Sequence, residues 1–156
     1  MVNPLKPILP GLISQEQIGF VKGRQIKDGI VVAQEAIQSL KNSKTKGMLV
    51  KLDFAKAYDR LNWGYIQKIL KVFGFDERWI SWVMSMVTTL VLSILFNGSP
   101  TKAFNWTRGL RQGDPLSPFL FILAVEGLGR YIKAKVYNEQ YKDLRLCRND
   151  IPLTHQ

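Results

Sequence analysis

Apolar residues recur along this chain in two rhythms, a helical one and an alternating one, separated by breaks rich in glycine, proline and lysine. Ile30, Ala33, Ile37 and Leu40 share one face of a predicted helix that Asp28 is placed to cap and that ends near Asn42. The lysine-rich residues 41–47 follow as a loop. Over residues 48–53 the pattern alternates, with Met48, Val50 and Leu52 on one face and Leu49, Lys51 and Asp53 on the other. That predicts a strand with Asp53 at its carboxyl end. Ile66, Ile69, Leu70 and Phe73 predict a second helix stopped by Gly74, and Asp76 can cap a third through Trp79, Val83, Met86 and Val87.

Residues 90–96 are apolar and partly β-branched, Asn97-Gly98 is a hairpin-turn dipeptide, and residues 101–106 return as the partner strand. A glycine-containing loop over 108–114 leads to a long apolar helix over 115–132 marked by Phe119, Ile122, Leu123 and Leu128. At the start, Pro4, Pro7, Pro10 and Gly11 leave residues 1–13 irregular or briefly helical, and residues 151–156 form a short closing stretch. The order of helix, strand, helices, hairpin and helix predicts an α+β layer of antiparallel strands backed by helices. At 156 residues and 46% hydrophobic, the chain suits one domain or a large part of one.

Charge changes the picture. Lys and Arg number 22 against 12 acidic residues, a formal net charge of +10, which points to a polyanionic partner, nucleic acid first, with a merely solvated basic surface as the plainer alternative. Cys147 is the sole cysteine, so no internal disulfide and no thiolate metal site can be built. No apolar run reaches the roughly 18 residues that a bilayer span requires, and the opening lacks the apolar core of a signal peptide. The expectation is a soluble, intracellular chain with no membrane partner, whose proline-rich opening resembles the middle of a longer protein.

Two segments carry candidate chemistry. In Lys51-Leu52-Asp53-Phe54-Ala55-Lys56-Ala57-Tyr58-Asp59, a predicted strand delivers a carboxylate to its open end, a hard oxygen ligand suited to magnesium beside substrate phosphates. Taken alone, such an Asp is more often a turn or cap residue. In Arg108-Gly109-Leu110-Arg111-Gln112-Gly113-Asp114-Pro115-Leu116-Ser117-Pro118, glycines allow close backbone approach, the arginines can face phosphates, and a helix N-terminus follows. The same residues read equally as an ordinary helix start with Asp114 as cap and Pro115 in the first turn.

Together, in order and spacing, these segments resemble the reverse transcriptases of plant LINE-type (non-LTR) retrotransposons. KLDFAKAYDRLNW is similar to the first palm motif and RGLRQGDPLSPFLFIL to the second, with further likeness in ISQEQIGFVKGRQIKDGI, GFDERWISWVMSMV and LFNGSP, so the resemblance covers almost the whole chain. It implies a partial polymerase palm with part of the fingers, residues 1–46 on the fingers side and 47–156 on the palm side. Asp53 then matches a catalytic metal ligand, with the backbone carbonyl of Phe54 beside it. Tyr58 matches the aromatic gate against a 2′-hydroxyl. Gln112 and Gly113 match the pair against incoming nucleotide and template base, with Arg111 a less certain neighbour. Lys22, Arg24 and Arg108 match segments facing template, primer or triphosphate, although a solvated loop charge explains Lys22 and Arg24 equally well.

The implied reaction is extension of a DNA primer on an RNA template from deoxynucleoside triphosphates, with magnesium or manganese as cofactor and a nuclear site of action. The chain departs from the family in lacking the aromatic-x-Asp-Asp tandem, and Pro4 stands where an arginine is usual. Asp59 and Asp114 are not placed to substitute. The expectation is a fragment that needs the missing parts of its polyprotein, is inactive alone, and associates through an unpaired strand edge. The alternative is a non-catalytic, basic, nucleic-acid-binding remnant of a retroelement.

Overall fold

The structure is a computed structural model that describes residues 5–21, 23–43 and 46–140. Expectations for Lys22, Cys147 and residues 151–156 fall outside that range. The chain divides into two compact units, one of Met1–Asp53 with Val125–Gln156 and the other of Phe54–Ala124.

In the first unit, α1 (Leu5–Leu12) holds Pro10 within it and buries Leu5 and Leu9, one turn apart. Ile13 and Val21 continue this small core. α2 (Ile26–Ser43) begins before Asp28, so that carboxylate lies in the first turn, complementing the helix dipole. The helix also runs past Lys41 into the stretch expected as loop. Of its apolar positions Ala36 is buried, whereas Ile30 and Ile37 are exposed.

The expected strand over residues 48–53 is not formed: residues 46–54 carry neither helix nor strand, and 46–56 are all exposed. Alternation selects a face, but a strand exists only within a ladder, and no described segment hydrogen-bonds to this one.

The second unit opens with α3 (Ala57–Arg60), entered through Lys56 in the left-handed region at φ 52°. α4 (Trp63–Val72) starts where Asn62 Oδ1 accepts the Tyr65 N–H at 3.0 Å. It stops at Gly74, whose φ of 78° lets Gly74 N–H reach the Lys71 carbonyl and Phe75 N–H the Leu70 carbonyl. α5 (Glu77–Thr88) begins at Asp76, whose Oδ1 accepts from Arg78 N at 2.9 Å. α4 packs on α5. The apolar stripe of each helix is buried, at Ile66 and Leu70 of one and Ile80, Val83 and Val87 of the other.

The hairpin forms as β1 (Val91–Leu92), β2 (Leu95–Phe96), β3 (Ser99–Pro100) and β4 (Phe104–Asn105). Asn97 at φ 49° and Gly98 at φ 79° supply the paired positive angles that a tight turn with right-handed twist requires. Leu95 pairs with Pro100, but Leu92 pairs with Phe104, so the return strand carries one extra residue and the ladder splits in two. Every residue from 91 to 105 is exposed.

α6 (Ser117–Tyr137) begins in this unit and ends in the first. It starts two residues later than the sequence predicts. Asp114 Oδ1 accepts the Leu116 N–H at 2.9 Å and the Asp114 carbonyl accepts Ser117 N–H at 3.2 Å, which satisfies the first free donors. Helices joined to short antiparallel ribbons make the fold mixed α+β, in line with the class read from the sequence.

Candidate active site

The two chemistry-bearing segments meet within the second unit. Leu110 N–H donates to the Tyr58 carbonyl and Gly109 N–H to the Leu61 carbonyl, each at 2.8 Å. Trp63 Nε1 closes the junction by donating to the Gly109 carbonyl at 2.7 Å. Gly109 is required here: its φ is +95°, and a Cβ would lie 2.8 Å from the Asp59 carbonyl oxygen. Leu110, fully buried, anchors the loop from below.

Tyr58 leaves this junction with its ring stacked on Phe121 of α6, centroids 4.8 Å apart and planes 17° apart. Burial pushes its hydroxyl above the usual 10.0, so the phenol stays neutral. Past Leu110 the chain loops outward. Arg111, Gln112 and Gly113 are exposed between buried Leu110 and buried Leu116, and Gly113 takes φ +86° with open space around it. The Gln-Gly pair is thus exposed to solvent between two buried leucines. Arg108 is exposed as well.

Asp53 ends the N-terminal segment of the first unit. Its side chain is exposed and engages no described partner. Phe54, opening the second unit, is 57% exposed. An Asp carboxylate is the right donor for a hard divalent cation, but one donor does not make a site. Among the described residues no three His, Cys, Asp or Glu side chains gather. The described donor set therefore falls short of a two-ion centre, with Asp53 as one ligand of the right chemistry.

Arg24 is occupied structurally. Its guanidinium donates to the backbone carbonyls of Ser14 and Gln17, bracing the loop after α1. Sequence reasoning also passed over Glu126. Only 2% exposed, it accepts from the Ser14 N–H at 3.1 Å and hydroxyl at 2.8 Å, and pairs with Arg130 Nε at 3.1 Å. The available signal was a lone carboxylate inside an apolar helix. Trp63 and Phe121 were visible within the quoted motifs, but nothing local marked them as supports.

The pattern that describes reverse transcriptases (RNA-dependent DNA polymerases) matches residues 1–148, nearly the whole chain. The chain belongs to the reverse transcriptase family. Curated relatives include a transposon TX1 uncharacterized 149 kDa protein of Xenopus laevis, 29% identical over 78% of this chain and 9% of that protein. A Pol polyprotein from a type-1 retrotransposable element R2 of Popillia japonica is 34% identical over 51% of this chain and 13% of its own length. The type-2 element R2DM polyprotein of Drosophila melanogaster is 26% identical over 77% of this chain and 11% of its own. Likeness to R2 and TX1 is likeness to the non-LTR type of this family. The reverse transcriptase chain described here spans about a tenth of the length of these curated relatives. No described helix is long and apolar enough to cross a membrane.

Proposed function

We propose that the chain is the fingers-side and palm-side part of a plant LINE-type reverse transcriptase, residues 1–46 serving the former and 47–156 the latter. Within a longer polyprotein it extends a DNA primer on an RNA template. The observation that carries this reading is the hydrogen-bonded junction of Tyr58, Leu61 and Trp63 with Gly109 and Leu110, which ties the Tyr58 backbone to the base of the exposed Gln-Gly loop.

In this reading the Tyr58 ring, held by Phe121 behind it and by its own carbonyl's bond to Leu110, stands under the deoxyribose and excludes a 2′-hydroxyl. Gln112 and the backbone at Gly113 lie against the incoming nucleotide and the template base, and Arg111 offers a guanidinium to phosphate. Asp53, with the Phe54 carbonyl, would hold magnesium or manganese. When bound, such an ion neutralises phosphate charge as the primer 3′-hydroxyl attacks the α-phosphate. Arg108 and other cations hold the nucleic-acid backbone without reading its sequence. Lys22 is assigned the same template role on the resemblance alone, and the Arg24 contact is restricted to what its bonds to Ser14 and Gln17 leave over. The family implies action in the nucleus.

These 156 residues contain no Asp-Asp tandem, so by themselves they bind template without polymerising. Two measurements test the proposal. Primer extension on RNA with magnesium should yield no product from the chain alone. Product that disappears in Asp53→Asn would overturn the inactivity and uphold the assigned ligand. Binding of RNA should weaken steeply with salt, and binding absent or indifferent to salt would defeat the nucleic-acid reading itself.

A further inference from the structure

One depression of the second unit sets Arg108, assigned above to the nucleic-acid backbone, beside four residues that nucleotidyl transfer leaves unused. It encloses about 280 Å³ and is lined by Asp59, Asn105, Trp106, Thr107 and Arg108. The volume sits at the small end of ligand cavities, which start at roughly 300 Å³, and suits one base with its sugar. The polar side chains that line it have no hydrogen-bond or ion-pair partner among the described residues. Asp59 and Arg108, though both charged and both at this depression, do not pair with each other.

Each wall selects something. The Arg108 guanidinium calls for an anionic oxygen group. The Asp59 carboxylate, acceptor only when ionised, rejects phosphate and calls for a hydrogen-bond donor. The half-buried Trp106 indole offers a π-face, and the Asn105 amide and Thr107 hydroxyl can serve a base edge. A ribonucleotide satisfies all of these with its phosphate, its base and its 2′-hydroxyl. A deoxynucleotide lacks only the donor for Asp59. The backbone of Asp59 lies close against Gly109, which places its side chain at the edge of the junction.

We propose that this depression holds one ribonucleotide of a bound RNA strand, with phosphate on Arg108, base against Trp106 and 2′-hydroxyl donating to Asp59, and so distinguishes RNA from DNA. The inference rests on the nucleic-acid reading above and adds to it a sugar-reading site separate from the Tyr58 gate.

The test is fluorescence anisotropy of the full chain with a labelled single-stranded RNA, the DNA of the same sequence, and AMP as competitor. RNA should bind roughly ten-fold more tightly than DNA, the scale of one hydrogen bond to a charged group. Asp59→Ala should bring that ratio to unity, whatever its effect on the two affinities separately. Trp106→Ala should weaken both strands roughly five-fold or more. Arg108→Gln should weaken both and lower the salt slope by about one. If circular dichroism shows Asp59→Ala unfolded, the isosteric Asp59→Asn supplies the ratio, which should fall.

Salt-dependent binding without sugar preference, or a preference untouched in the Asp59 variants, overturns the site while leaving the nucleic-acid reading intact. Failure to bind either strand overturns both. AMP competing as well as the strand would overturn the assignment to strand rather than free nucleotide.

Discussion

Residues 51–54 and 57–63 belong to one continuous motif, yet they differ in how they are held. The first half is exposed throughout, with Leu52 62% and Phe54 57% exposed and no backbone partner described. The second is bonded through Tyr58, Leu61 and Trp63 to a loop some fifty residues away in sequence and backed by Phe121. A pattern of side chains is enough to place a helix such as α4, whose backbone bonds are local. It is not enough for a strand, whose every ladder bond needs a second segment.

The largest expected difference between the halves is in core truncation. Leu110→Ala, at the buried end of the junction, should cost about 2–5 kcal/mol. Leu52→Ala should stay within about 0.5 kcal/mol. Urea midpoints of the two variants compare them directly. Equal losses would mean that residues 48–54 are packed in solution, and the contrast would fail.

Next in size is Gly109→Ala. The added methyl meets the Asp59 carbonyl and demands φ +95° of an alanine, so about 2–3 kcal/mol should be lost. Tyr58 fluorescence or amide exchange at Leu110 should show the junction loosening. An unaltered melt would show that the loop carries less strain than its geometry implies.

The smallest effects lie at the extremes of pH, and they separate the two units. In the first, burial acts to raise the Glu16 carboxyl, but Lys133 at 2.7 Å, a backbone hydrogen bond and the Ser14 hydroxyl together hold it below 4.5. Its contribution is complete above 4.5 and disappears as pH falls through the lowered value. Lys133→Met should flatten that acid limb. In the second unit, burial raises Tyr58 and Tyr65 above 10.0. Stability there is complete below 10.0 and declines as pH rises through the raised values, and Tyr65→Phe should flatten that alkaline limb. Stability curves identical to those of the parent in both variants would remove these groups from the account.

Much of the architecture was legible in the linear order of residues. The ends of α4 and α5 follow from Asn62, Gly74 and Asp76, whose caps bind within a turn, and the hairpin follows from two residues able to take positive φ. The identity of the family was legible for a related reason, since motif order and spacing survive without any knowledge of contacts. Tyr58, Gln112 and Gly113 stand in the linear motifs as candidates, whereas the residues that support them do not. Trp63, Phe121 and Glu126 act through partners 46 to 112 residues away.

What the chain by itself determined, then, is wherever hydrogen bonds close over a few residues: helix caps, the Asn-Gly turn, and the motifs that name its kind. Tertiary structure alone decided that residues 48–53 have no ladder partner among the described residues, that Arg24 binds backbone carbonyls, and that Gly109 must admit the Asp59 backbone at close range. The reason is physical. A local bond is specified by neighbours that are always present, whereas a ladder, a stack or a buried ion pair depends on which distant segment arrives, and no one segment encodes that by itself.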